Sequence, residues 1–421
     1  MGDYVREQHR RGALVVQPRM GFDDPRQMRA GLLATRDADA AVVGTITVDS
    51  YTRLNDLGSA AGALRDGIRL NGYPIATHHP GTTREVAAGL GVPVQVRHGS
   101  ARPQAIIGAL TSAGLAATEG GPVSYCLPYG RTPLAESVRH WADTCRLLLD
   151  TAADGSVPHL ETFGGCMLGQ LCPPSQLVAI SLLEAMFFRS HGLRSISLSY
   201  AQQTSPEQDR EAIATLRSLS AELLGDVDWH VVVYTYMGVY PRTEAGAYAL
   251  LGESARLAVE SGAERLIVKT AAEAYRIPSI ADNVSALEYA ATVAAATTLR
   301  PAIGQVTGTE TYREARALID AVLDDGPDIG RALVRAFRHG LLDIPYCVHP
   351  DNAGRTRSFI GADGRLRWAD TGSLPLAGIA GPGRRSRVSA AELLQALSHV
   401  QSTFDAPALV GRRPILEEES A

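Results

Sequence analysis

A closed (β/α)8 barrel followed by a C-terminal α+β appendage is the architecture this sequence predicts. Short β-branched runs recur as far as Thr270, separated by Ala/Leu/Arg-rich stretches with helical period. Eight such runs within about 260 residues match the count and length of eight parallel strands wound with helices. No GxGxxG follows the first strand, which weakens the alternative, an open doubly wound sheet.

The strands are expected at Ala13–Gln17, Ala40–Thr47, Val92–Val96, Pro122–Tyr125, Val157–Glu161, Ser195–Tyr200, Trp229–Thr235 and Arg265–Thr270. Helices are expected between them at Pro25–Thr35, Pro103–Ala113, Leu134–Thr151, Pro174–His191, Pro206–Leu224 and Ala245–Ser261. This alternation implies a parallel sheet, because each strand needs a crossover to start again from the same end. Two units are irregular: Tyr51 to Gly91 is long for one crossover, and Pro122–Tyr125 is a short strand. The barrel is expected to occupy residues 1–300 and the appendage residues 301–421. Two helices (Glu310–Leu323 and Gly330–Gly340) open the appendage. A hairpin follows at Phe359–Leu366, whose Asp363-Gly364 pair suits a tight turn. A helix near Ala390–Val400 then precedes a polar tail.

The composition bounds the function. At 421 residues, 45% hydrophobic and 20% charged, the chain can bury a large core. A formal charge of −5 argues against nucleic acid or an anionic membrane as the main partner. There is no run of 18 or more apolar residues and no apolar stretch near Met1. The five cysteines form no CxxC pair, an odd number that fits reduced thiols and a cytoplasmic location. No set of residues has metal-ligand spacing.

In such a barrel the chemistry sits at the C-terminal ends of the strands. There the sequence puts Arg19 after the first strand, Arg53 after the second, Arg97 with His98 after the third, and Glu119 with Tyr125 and Tyr129 around the fourth. Phe163 follows the fifth. Lys269, the only lysine against 39 arginines, ends the eighth, with Glu273 one turn on. Three guanidiniums at one mouth repel each other unless anions lie between them, and each fork suits a carboxylate. Glu119 supplies a partner for an ammonium group. A dicarboxylic amino acid answers all of these requirements.

Gln17-Pro18-Arg19, Asp49–Arg53, Leu70-Asn71-Gly72, Arg97-His98-Gly99, Glu119-Gly120-Gly121, Ser124–Tyr129, Val268-Lys269-Thr270 with Glu273, and Asp343-Ile344-Pro345 occur in this order. Together they resemble the large (epsilon) subunit of glutamate mutase, the methylaspartate mutase family, from about residue 12 to about residue 376. The resemblance implies an adenosylcobalamin-dependent isomerase that interconverts L-glutamate and (2S,3S)-3-methylaspartate by a radical mechanism, with Glu119, Arg97 and Lys269 catalytic. It implies a substrate site of Arg19, Arg53, Arg97, His98, Glu119, Tyr125 and Tyr129. It also implies cofactor contacts from Gly21, Asn71, Pro128, Tyr240, Lys269, Glu273 and Ile277. Pro122, Cys126 and Tyr234-Thr235-Tyr236 depart from the family's pattern. The chain has no Asp-x-His-x-x-Gly, the motif that supplies a histidine to cobalt. A small cobalamin-binding (sigma) subunit carrying that motif is therefore the expected partner, together with a second copy of this chain.

Other readings remain. A modified glutamate would suit the same chemistry. A Schiff-base lyase or aldolase would use Lys269, but Glu273 one turn away is expected to favour the charged ammonium. A protein that binds glutamate without turning it over is the third.

Overall fold

A computed structural model describes residues 1–150, 155–167, 171–300, 303–381 and 388–410. Helix α1 (Gly2–Arg10) precedes β1 (Val15–Gln17), α2 (Pro25–Asp37) and β2 (Gly44–Thr47). The long crossover then holds α3 (Ser50–Arg53), α4 (Leu57–Arg65) and α5 (Pro80–Ala87) before β3 (Val94–Arg97). Next come α6 (Gln104–Ser112), β4 (Ala117–Gly120), α7 (Leu134–Asp150), β5 (His159–Thr162) and α8 (Pro174–Ser190). The barrel continues through β6 (Ser195–Ala201), α9 (Pro206–Leu223), β7 (Asp228–Tyr234), α10 (Glu244–Glu260), β8 (Arg265–Ile267) and α11 (Ile280–Ala295).

All eight strands pair in parallel, in the order β1-β8-β7-β6-β5-β4-β3-β2. A parallel bridge between Val16 and Val42 joins the two ends, and this closure excludes the open sheet. The helices begin where the chain offers acceptors for their first amides. Asp24 caps α2 ahead of Pro25, Ser205 caps α9 ahead of Pro206, and Ser279 with Asp282 forms a capping box on α11.

One expected strand is wrong. Pro122–Tyr125 forms turns, and the fourth strand is Ala117–Gly120. Gly120 leaves the strand at φ +134°, and Leu127 N–H bonds back to the Val123 carbonyl at 3.0 Å. Val123 and Tyr125 are buried in this turn, which is why they read as a strand. Glu119 therefore lies within a strand, not in a loop.

The barrel interior below the mouth is polar. Gln17 donates to Thr45 at 2.9 Å and to Gln95 at 2.7 Å. Glu161 accepts from Ser197 at 2.9 Å and Gln95 at 3.2 Å, and pairs with Arg265, both side chains fully buried. Each polar group is matched by another, as burial requires.

Beyond α11 lie α12 (Glu310–Leu323), α13 (Ile329–His339), β9 (Arg357–Ile360), β10 (Leu366–Asp370), α14 (Ala390–Leu397) and α15 (His399–Val410). Helix α12 packs on α8 and α9, α13 on α7 and α8, and α15 on α10. The β9–β10 hairpin turns at Asp363-Gly364, with Gly364 at φ +79°. Gln208 of α9 clips it by two bonds to Leu366, at 2.8 and 2.9 Å. The single helix expected at Ala390–Val400 is two helices that meet at Ser398. Thr151, Pro301 and the tail from 411 onward lie outside the described residues.

Candidate active site

The parallel strands deliver their last residues to one end of the barrel. Arg97 is the last residue of β3 and Tyr234 the last of β7, while Arg19 and Lys269 lie two residues past β1 and β8. Arg53 closes the short helix α3, which Asp49 caps by accepting the amides of Tyr51 and Thr52 at 2.9 and 3.1 Å. A cavity of about 460 Å³ opens there. Its lining includes Arg19, Gly21, Arg53, Asn71, Arg97, His98, Glu119, Tyr125, Tyr129, Phe163, Glu273 and Ile277. Most of the residues singled out in the sequence thus share one surface. Pro128, Tyr240 and Lys269 do not line it: Pro128 lies beside Tyr129 in the chain, and the other two stand behind Glu273.

Glu119 is nearly fully buried and accepts three donors. Arg97 Nε donates at 2.7 Å and the Tyr234 hydroxyl at 2.8 Å to one carboxylate oxygen, and the Tyr125 hydroxyl donates to the other. The Arg97 guanidinium also sits 5.2 Å from the centre of the Tyr234 ring. Burial, then the Glu119 charge, pushes both tyrosines well above the ordinary phenol value, so they remain donors. The same hydroxyl of Tyr234 also lies within hydrogen-bond distance of Glu161, level with Glu119 on the neighbouring strand β5, so its single proton is shared between the two carboxylates. The active-site floor is therefore continuous with the polar barrel interior.

The neighbouring His98 is held neutral. Burial above all, then the charges of Arg53 and Arg97, lowers its pKa to about 3, against a small pull from the Glu119 main chain. The Ser100 amide donates to its Nδ1 at 3.0 Å, which leaves the proton on Nε2.

The three arginines are not equally free. Arg97 is bound to Glu119, and Arg19 to Glu273 at 3.2 Å. Among the described residues Arg53 makes only a long bond to the Val48 carbonyl, 3.4 Å, and its buried Nε has no partner. Protein carboxylates thus offset part of the repulsion that the sequence assigns to bound anions. Three guanidiniums against two carboxylates still leave a positive mouth, which favours an anionic ligand.

Lys269 Nζ lies 3.7 Å from Glu273 and 4.2 Å from the centre of the Tyr240 ring. Its pKa is lowered to about 8: burial outweighs the opposing pull of Glu273. This is opposite to the direction expected from Glu273 alone, so the low lysine pKa that a Schiff base needs is partly met. Nζ is nonetheless pinned between a carboxylate and an aromatic face, both of which favour the ammonium.

Gly120 sets the shape of the floor. A Cβ there would lie 2.3 Å from Trp141 and 2.6 Å from Tyr125, at a φ that side chains avoid. Gly120→Ala is expected to cost about 1–3 kcal/mol of stability, from overpacking and strain, read as a lower midpoint in urea. An unchanged midpoint would show that Trp141 has room to yield.

Tyr234 and Glu161 were not read from the sequence as site residues. The available signal was Glu161, an acidic residue ending the fifth expected strand, Val157–Glu161. Buried carboxylates in apolar strands call for partners.

The fold and its mouth define a (β/α)8-barrel protein with a cavity for a small anion. The model of the methylaspartate mutase E chain family matches residues 1–391, and the chain belongs to that family. It is 31% identical to the glutamate mutase epsilon subunit of Yersinia enterocolitica over 87% of this chain and 79% of that one. The Halobacterium salinarum protein of the same name is 33% identical, over 86% and 79%. That of Escherichia coli O157:H7 is 31% identical, over 78% and 72%.

Proposed function

We propose that this chain is the catalytic subunit of a carbon-skeleton mutase interconverting L-glutamate and (2S,3S)-3-methylaspartate. The observation that carries the reading is the buried carboxylate of Glu119, held by Arg97, Tyr125 and Tyr234 in a cavity rimmed by Arg19 and Arg53. In this reading Arg53, Arg19 and Arg97 take the two substrate carboxylates, aided by His98 and the hydroxyls of Tyr125 and Tyr129. Glu119 takes the α-ammonium. Arg97 and Arg19 then exchange part of their pairing with protein carboxylates for pairing with substrate.

Family membership implies adenosylcobalamin, which supplies the hydrogen-abstracting radical when bound. The residues fit it on one side. Among the described residues the buried Tyr240 hydroxyl has no hydrogen-bond partner, and the Tyr240 ring lies against Lys269, itself paired with Glu273; a ribose diol would complete this donor and acceptor set. Lys269 and Glu273, with Tyr240, would hold the adenosyl group, and Gly21, Asn71, Pro128 and Ile277 would complete the contact. The task of the chain's own side chains is to fix the substrate and keep water from the reacting carbons.

The chain lacks a cobalt-ligating histidine motif, so a small subunit carrying Asp-x-His-x-x-Gly is the partner, on a homodimer of this chain. The exposed Leu54 and Ile277, which line the cavity, supply an apolar docking rim. No described helix is long and apolar enough to cross a membrane. Assayed with adenosylcobalamin and L-glutamate, the isolated chain should turn over little, and a small cobalamin-binding subunit should restore 3-methylaspartate formation. Full activity without that subunit would overturn the two-subunit reading. Binding of L-glutamate with no product in the complete complex would favour a glutamate-binding protein. Trapping of a carbonyl substrate on Lys269 by borohydride would favour the lyase.

A further inference from the structure

Glu184, on α8, is fully buried and belongs to no part of the site described so far. One carboxylate oxygen accepts the amides of Val123 and Ser124 at 3.1 and 2.9 Å. The other accepts the Ser124 hydroxyl at 3.0 Å and the Phe163 amide at 3.4 Å. Two loops that leave neighbouring strands, one after β4 and one after β5, are thus tied to the same side chain. Gly121 makes room for it, since a Cβ there would fall 2.0 Å from a Glu184 carboxylate oxygen.

What those loops carry gives the contact its meaning. Tyr125 follows Ser124 directly, and its amide bonds to the Gly121 carbonyl at 3.2 Å. Its hydroxyl reaches Glu119, and its ring lies 4.9 Å from that of Phe163. Tyr125 and Phe163 form one wall of the cavity. We propose that Glu184 is a positioning residue: it staples the Val123–Ser124 turn to the Phe163 amide and so sets the Tyr125–Phe163 wall that presents Glu119 to the substrate.

A carboxylate suits the task because it accepts on both oxygens and donates nothing, so three amides and a hydroxyl can converge on it. Burial pushes its pKa up to about 7, against the pull of those four donors. An amide of the same shape would turn an NH2 group towards the Phe163 amide, leaving two donors facing each other.

The test is Glu184→Gln, with Gly121→Ala as a second variant that crowds the carboxylate from the opposite side. In the full chain, amide hydrogen exchange at Val123, Ser124 and Phe163 should speed up by about tenfold or more, while β6 and β7 keep their protection. The dissociation constant of L-glutamate, read by calorimetry, should rise about tenfold, the effect of withdrawing one charge-assisted hydrogen bond. In the complex with the cobalamin subunit, KM should rise and the cofactor concentration giving half-maximal rate should stay put. The binding and kinetic arms rest on the glutamate reading, and the exchange arm does not. Unchanged exchange at the three amides overturns the proposal, as does a uniform loss of protection across the barrel, which would mean general loosening. Faster exchange with glutamate affinity within about twofold of wild type overturns it too. A wild-type chain that binds no glutamate overturns the glutamate reading instead, and the amides then decide the proposal alone.

Discussion

Arg97→Lys is expected to lower kcat/KM for L-glutamate by about 30- to 150-fold in the reconstituted complex, the loss of a charge-assisted bidentate contact worth about 2–3 kcal/mol. Arg97 spends its Nε on Glu119 and lies with its guanidinium beside Tyr234. Its remaining nitrogens are the ones that can meet a substrate carboxylate. A lysine keeps the charge but not the fork, so it cannot hold Glu119 and a carboxylate in two fixed directions. The nearly complete burial of Arg97 sharpens the effect, because no water can substitute for a missing donor. A loss below about threefold would remove Arg97 from substrate binding. A large loss of stability with unchanged kinetics in the surviving protein would confine it to holding Glu119.

The barrel was legible because parallel strands buried on both faces must be apolar and β-branched while their helices keep a 3.6 period. Local composition carries both signals. The mouth was legible because strand ends are known once strands are, so Arg19, Arg53, Arg97 and Lys269 could be placed without knowing any contact. The fourth unit failed where local composition misleads. Val123 and Tyr125 are apolar because they fill a buried turn, and the strand proper, Ala117–Gly120, carries Glu119 in its middle.

What stayed hidden were side chains whose partners are remote in sequence. Glu184 lies in a helix covered by β5, β6, α12 and α13. A lone glutamate in an apolar helix reads as a solvent-facing position, and nothing local announces Val123, Ser124 and Phe163 as its partners. The same holds for Tyr234, whose two carboxylates come from β4 and β5. The balance at Lys269 was also out of reach. Spacing gives Glu273 as a neighbour, but only the folded chain shows that burial exceeds its pull.

Lys269→Ala is expected to lower turnover in the reconstituted complex by about 100-fold or more, about 2.7 kcal/mol of barrier, while the L-glutamate dissociation constant of the chain stays within about threefold. Lys269 does not line the substrate cavity; it stands behind Glu273 with its ammonium over Tyr240. An alanine leaves Glu273 with Arg19 alone and removes the ammonium from the face of the Tyr240 ring. The substrate arginines and Glu119 are untouched, so binding should survive while the step that needs the adenosyl group does not. The lysine's pKa of about 8 adds a second reading. The ammonium is the form that Glu273 and Tyr240 hold, so activity should fall as pH rises through about 8. In Lys269→Arg, whose charge persists, any activity that remains should hold to higher pH. A large rise in the glutamate dissociation constant with unchanged turnover at saturation would reassign Lys269 to the substrate site. An alkaline limb that stays near pH 8 in the arginine variant would give that titration to another group.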